Sequence, residues 1–137
     1  MKQTLLIASH GDNLAQLTSL KGDHYSLVVQ PTASGTLAYL RNNTPNLIVL
    51  DADLPDASGL DICFRIKKVS RLKHLPVLLL LSSKNTQRQK AEAALVKADL
   101  VMTMPANRAD LEDAVKQLLA HTHDVDHATQ TSVRVPV

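Results

Sequence analysis

A doubly wound α/β domain is what this sequence predicts: a five-stranded parallel sheet with helices on both faces. Three observations carry the prediction. Short apolar runs alternate with segments whose apolar residues recur at helical spacing, and the alternation repeats five times. The runs Leu47-Ile48-Val49-Leu50 and Val77-Leu78-Leu79-Leu80-Leu81 are apolar at every position, as strands buried on both faces are. The length, 137 residues, suits one domain with a core of its own.

In order along the chain, residues 3–8 form the first strand, and Asp12 is placed to cap a helix carrying Leu14, Leu17 and Leu20. Residues 24–29 form the second strand. Pro31, Thr32 and Ser34 open a helix through Leu37 and Leu40 that stops near Asn42-Asn43. The third strand is 46–51, and a helix from about Ser58 to Ser70 sets Leu60, Cys63 and Ile66 on one side. Pro76 to Leu81 is the fourth strand, ending at Ser82-Ser83, and a helix from about Asn85 to Lys97 offers Ala91, Ala94 and Leu95 as its buried stripe. Leu100-Val101-Met102 is a short fifth strand. Asn107 to Asp110 resembles a capping box, with Asp where Glu is usual, and opens a last helix with Leu111, Val115, Leu118 and Leu119 inward. Right-handed crossovers between such units give a flavodoxin-like sheet.

The core must be aliphatic, because the aromatics are Tyr25, Tyr39 and Phe64 alone. Cys63 is the single cysteine, which excludes a disulfide framework and fits a reducing compartment. No segment has the apolar length of a membrane span, and the N-terminus carries no signal-peptide cleavage pattern, so a cytoplasmic location is expected. A net charge of +2 gives no argument for nucleic acid. Basic residues gather at Arg65, Lys67, Lys68, Arg71 and Lys73, read as a solvated helix end. The pattern stops near residue 121, so residues 1–121 are expected to form the domain and 122–137 a disordered tail or linker. His121, His123 and His127 lie at that end; without a core to hold them, metal binding there is expected to be adventitious.

Asp51 ends the third strand and is followed by the loop Ala52-Asp53-Leu54-Pro55-Asp56-Ala57-Ser58-Gly59. In open α/β sheets function sits just beyond the carboxyl ends of the strands, so this acid stands where chemistry is done.

These residues resemble the receiver domain of bacterial response regulators, a (βα)5 fold of two-component signal transduction, over nearly all of residues 3–120. The match rests on Asp51 with Pro55 and Gly59 behind it, as in the family's D-x-x-x-P-x-x-x-G. It rests also on Ser82 at the switch-hydroxyl position, on Ala98-Asp99 before the last strand, and on Pro105 after the position of the family's lysine. The resemblance makes Asp51 the phosphoacceptor. It also exposes departures. The acidic pair that holds Mg²⁺ in the family falls on Ser9 and His10, and the next position is Gly11. The lysine falls on Met104, and the aromatic that rotates on activation falls on Val101.

Mg²⁺ takes oxygen ligands, usually carboxylates, phosphate and water. Ser9 offers a neutral hydroxyl and His10 an imidazole, which suits softer metals. Met104 offers no cation. Removing one preorganised charge contact costs on the order of 3 kcal/mol of transition-state stabilisation. Mg²⁺-dependent phosphorylation of Asp51 is therefore expected to be very slow or absent, with no cofactor unless phosphorylation is retained. If a metal binds, Asp51 and Asp53 are its candidates. In the bland reading Asp51 is a structural acid held by loop amides or Ser82, Ser82 caps the helix that follows it, and Met104 fills a gap.

The leading expectation is an atypical receiver, not an enzyme, acting through protein–protein contacts. Its partner would be a histidine kinase or an output domain. The face of the fourth helix, fifth strand and last helix (Arg88, Lys90, Glu92, Val101, Met102, Arg108, Glu112) would form the contact or a homodimer. Ala93 and Val96 would add exposed apolar area there. Two alternatives stay open: a working switch phosphorylated at Asp51, and a D-x-D phosphohydrolase with Asp51 as nucleophile and Asp53 as general acid.

Overall fold

The computed structural model describes residues 2–82 and 86–127, the side chains of Thr86 and of residues 121–127 excepted. The elements are β1 (Gln3–Ala8), α1 (Asp12–Thr18), β2 (Tyr25–Gln30), α2 (Ala33–Asn42), β3 (Leu47–Asp51), α3 (Gly59–Lys68), β4 (Val77–Ser82), α4 (Thr86–Val96), β5 (Leu100–Met104) and α5 (Arg108–His127). The strands pair in parallel in the order β2-β1-β3-β4-β5. This is the flavodoxin-like order predicted from the sequence, and it puts the chain reversal between β1 and β3.

The unbroken apolar runs of β3 and β4 follow from their central place. Alternate side chains serve opposite faces. Leu6, Ile48, Leu50, Leu79 and Leu81 pack under α2, α3 and α4, while Leu5, Ile7, Val49, Leu78 and Leu80 pack under α1 and α5. Neither face is left to solvent, so neither strand needs a polar position.

Local signals fix the starts of α2 and α5. Thr32 caps α2, its Oγ1 accepting the amide of Gly35 at 3.0 Å. Asn107 caps α5 through the amide of Asp110 at 2.8 Å, as the capping-box reading predicted. Asp12 does not cap α1. The cap residue is Gly11, at φ 68, and Asp12 is the first helical residue. Its carboxylate still sits at the positive end of the helix.

Two expectations about packing are corrected. The buried stripe of α4 is not Ala91, Ala94 and Leu95: the first two are exposed and Leu95 is 77 % exposed. Gln89 and Ala93 are buried and Val96 is half-buried, so Ala93 adds no exposed apolar area and Val96 only part of its side chain. The helix is rotated because Gln89 has partners inside, described below, and an alanine-rich helix has little apolar bulk to set another rotation. In the basic cluster Arg65, Lys68, Arg71 and Lys73 are exposed, as expected of a solvated helix end, and Lys67 is half-buried. Lys67 donates to Asp99 at 2.6 Å and to the carbonyl of Leu75 at 3.0 Å. Arg71 donates to the carbonyl of Leu40 and, at 2.7 Å, to Thr44, which caps the last turn of α2. These two cations are structural pins.

β5 runs two residues beyond its predicted end, to Met104, and α5 continues to His127. No Gly or Pro interrupts residues 121–127, so nothing local stops the helix at 121. Residues 128–137 and the side chains of His121, His123 and His127 lie outside the described part, and with them the expectation of adventitious metal binding. The predicted start of α4 near Asn85 also falls outside it; α4 is described from Thr86.

Candidate functional site

The crevice lies where β1, β3 and β4 end. Asp51 closes β3, and the Ala52 amide continues the ladder by donating to the Leu80 carbonyl at 2.9 Å. The loop then folds back: Asp53 and Ser58 bridge, and the Gly59 amide donates to the Ala52 carbonyl at 2.9 Å. Ser58 caps α3 through the amide of Leu60 at 3.1 Å. Gly59 lies flush against the strand end, because a Cβ there would stand 2.0 Å from the carbonyl oxygen of Asp51. The glycine eight residues after the acid thus has a steric cause: only hydrogen fits between α3 and the backbone of Asp51.

Asp51 is 5 % exposed, and both carboxylate oxygens are engaged. Oδ1 accepts the Asp53 amide at 3.0 Å. Oδ2 accepts the Ser9 hydroxyl and the Asn13 side-chain amide, each at 3.1 Å. Two neutral donors from the β1–α1 junction thus hold one oxygen, and a loop amide holds the other.

His10 is half-buried beside them. Its Nε2 lies 2.8 Å from the carbonyl oxygen of Asp53, so that nitrogen carries the proton and donates. Met104, 4 % exposed, packs on the α1/α5 side of the sheet and borders the cleft with Pro105. Ser82 borders it from the end of β4, and Asp12 and Asp53 also reach its rim; its volume is about 620 Å³. Among the described residues, no three His, Cys, Asp or Glu side chains converge as metal ligands.

The structure brings together Ser9, His10, Asp51, Asp53, Ser82 and Met104, all singled out from sequence. Val101 stands apart: it is half-buried on β5 and packs against the core under α2, α3 and α4. The side chain of Asp53 is turned to α4, where Oδ1 accepts the Gln89 amide at 3.1 Å.

Three residues escaped the sequence reading. Asn13 is the second residue of α1, just beyond the Ser9-His10-Gly11 junction, and that nearness in sequence was the available signal. Gln89 is the polar member of the α4 stripe at 89, 93 and 96. Asp56 caps α2 from the β3–α3 loop, accepting the amides of Ala33 at 2.7 Å and Ser34 at 3.0 Å. Those two amides hold its carboxyl below the ordinary value. A contact across so many residues left no local pattern to read.

Residues 5–116 match the family profile described as "Response regulator receiver domain". The chain is 30 % identical to the regulatory protein VanR of Enterococcus faecium over 87 % of its own length and 51 % of VanR's. It is 35 % identical to the protein PilG of Pseudomonas aeruginosa over 58 % of each chain. It spans about half the length of these curated relatives. The structure superimposes on a putative response regulator from Chloroflexus aurantiacus with a TM-score of 0.79 at 25 % identity, covering 88 % of this chain and 99 % of that one.

Proposed function

Because this chain belongs to the response regulator receiver family, a module of two-component signalling, we propose that it is an atypical receiver. It works through protein–protein contacts, and phosphorylation of Asp51 is slow or absent. A histidine kinase or an output domain is the class of partner. The α4-β5-α5 face, with Arg88, Lys90 and Glu92 on α4 and Arg108 and Glu112 on α5, is the contact surface and the candidate homodimer surface. Among the described residues no helix is long and apolar enough to cross a membrane.

The observation that carries this reading is the occupancy of Asp51 and its loop by hydrogen-bond donors from the chain itself. Ser9 and Asn13 hold Oδ2, and His10 holds the Asp53 carbonyl. A divalent ion beside Asp51 would need oxygen ligands, and it would have to strip these donors from the oxygens it needs. Met104 brings an apolar stem where the family brings a lysine. The residues present do not fit a Mg²⁺ site. In phosphoryl transfer catalysis is mostly electrostatic stabilisation and positioning, so what is missing here is what such a reaction depends on.

The test is incubation of the full chain with acetyl phosphate and Mg²⁺, followed by intact mass, with a beryllofluoride salt and NMR as the second probe. No Mg²⁺-dependent change at Asp51 is expected. The variant Ser9→Asp with His10→Asp and Met104→Lys restores the charges and is expected to gain modification. Ready modification of the natural chain would overturn the proposal and favour the phosphorylated switch, for which the roomy cleft and Ser82 at its edge already speak. The phosphohydrolase alternative has less behind it, because the carboxylate of Asp53 is tied to Gln89.

A further inference from the structure

The α4 helix is thinly anchored. Among its described side chains only Gln89 and Ala93 are buried, and Val96 is half-buried. An alanine offers one methyl group to the core, so apolar burial holds this helix weakly. Gln89 is a polar side chain, yet it is 2 % exposed. Burying an amide is costly unless its hydrogen bonds are made, and both ends of this one are used. Its Oε1 accepts the backbone amide of Ser82 at 2.9 Å, and its Nε2 donates to Oδ1 of Asp53 at 3.1 Å.

The two partners belong to the cleft. Ser82 ends β4 at its edge. Asp53 is joined to Asp51 through its own amide and to His10 through its carbonyl. A continuous hydrogen-bonded path therefore runs from Asp51 through Asp53 to Gln89 and into α4. We propose that Gln89 is a positioning residue that latches α4 to the cleft. The state of the Asp53 carboxylate then sets how firmly the α4 face is held. A basic side chain of a partner that takes Oδ1 of Asp53 competes with Gln89 and loosens the helix. The functional consequence rests on the reading of the α4 face as a contact surface; the latch itself does not.

Amide hydrogen exchange of the full chain, followed by mass spectrometry, tests it. The variants are Gln89→Leu, which keeps the bulk and removes both bonds, Asp53→Ala, and the double variant. Peptides from 86–97 report α4, and peptides from β1 and β3 serve as the internal reference. Gln89→Leu is expected to speed exchange in α4 by about tenfold and Asp53→Ala by a few-fold, with the reference unchanged. The double variant is expected to be no faster than Gln89→Leu, because the effect of Asp53 runs through Gln89.

Equal acceleration of all peptides, an unchanged α4, additive effects in the double variant, or an inert Asp53→Ala would each overturn the latch. If Gln89→Leu fails to fold, Asp53→Ala carries the test, since Asp53 is exposed. Ready phosphorylation of Asp51 would overturn the reading of the previous section and leave the exchange result standing.

Discussion

Gly59→Ala is the sharpest probe of how the cleft is built. A Cβ at this position would lie 2.0 Å from the carbonyl oxygen of Asp51, 2.8 Å from its carbonyl carbon and 3.0 Å from Cα of Ala52. All three are backbone atoms, so no side chain can swing away. Ordinary contact demands about 1.4 Å more room at the oxygen. The N-terminus of α3 must therefore back away from β3, stretching the bond from the Gly59 amide to the Ala52 carbonyl, now 2.9 Å. Overpacking of this kind costs about 1–3 kcal/mol. A weakened buried hydrogen bond adds about 1 kcal/mol, and the better helix propensity of alanine returns at most about 1 kcal/mol. The net is a loss of roughly 1–3 kcal/mol, or on the order of 10 °C in Tm for a domain of this size. Urea denaturation should give a lower midpoint at unchanged slope. The amide resonances of Asp51 and Asp53 should shift most. A neutral or stabilising Gly59→Ala would refute the claim that steric contact at Asp51 is why glycine stands there.

The rotation of α4 makes paired substitutions informative: Ala93→Lys should destabilise by at least about 2 kcal/mol, and Ala94→Lys should stay within about 0.5 kcal/mol; the reverse order in thermal denaturation would restore the stripe at 91, 94 and 95. Asp56 gives a pH signature. Its carboxyl is held below its ordinary value by the Ala33 and Ser34 amides, so its stabilisation is fully present above the unfolded value of 3.8 and is lost as pH falls through the lower folded value. Asp56→Asn should therefore show a shallower loss of stability between neutral and acid pH than the natural chain, and parallel curves would count against the cap. Cys63 is buried, and desolvation pushes its thiol up to about 11. A thiol reagent at pH 8 should modify it slowly in the folded chain and readily after unfolding, and fast labelling of the native chain would contradict that burial.

The sheet was readable because its signal is strong and local. Runs such as Val77 to Leu81 leave no other strand reading, and Thr32 and Asn107 announce their helices within three residues. The cleft was readable in part for a different reason: the order of a parallel sheet brings the ends of β1 and β3 together, so Ser9, His10 and Asp51 had to meet. What stayed illegible depends on contacts between distant segments. Asp56 reaches α2 across the loop, and Arg71 closes the far end of the same helix. The rotation of α4 was missed because Ala91, Ala93 and Ala94 are alike in an apolar pattern, and the residue that decides between them is polar. Gln89 would read as solvent-facing on any periodicity argument. Its burial is legible only once Asp53 and the end of β4 are in place.

A cluster of carboxylates pushes itself apart unless a cation sits among them. In this chain the same volume is filled by groups that satisfy one another without a cation. The Ser9 hydroxyl and the Asn13 amide donate to Asp51, and the His10 imidazole donates to the Asp53 carbonyl. These bonds hold Asp51 at the back of a cleft whose rim also carries Asp12 and Asp53. On the proposed reading, this set does not rearrange for a phosphoryl donor. Its remaining outlet is the carboxylate of Asp53, which faces α4 through Gln89 and is exposed enough to be reached from outside. On the proposed reading, control of this domain lies in what touches Asp53 and α4.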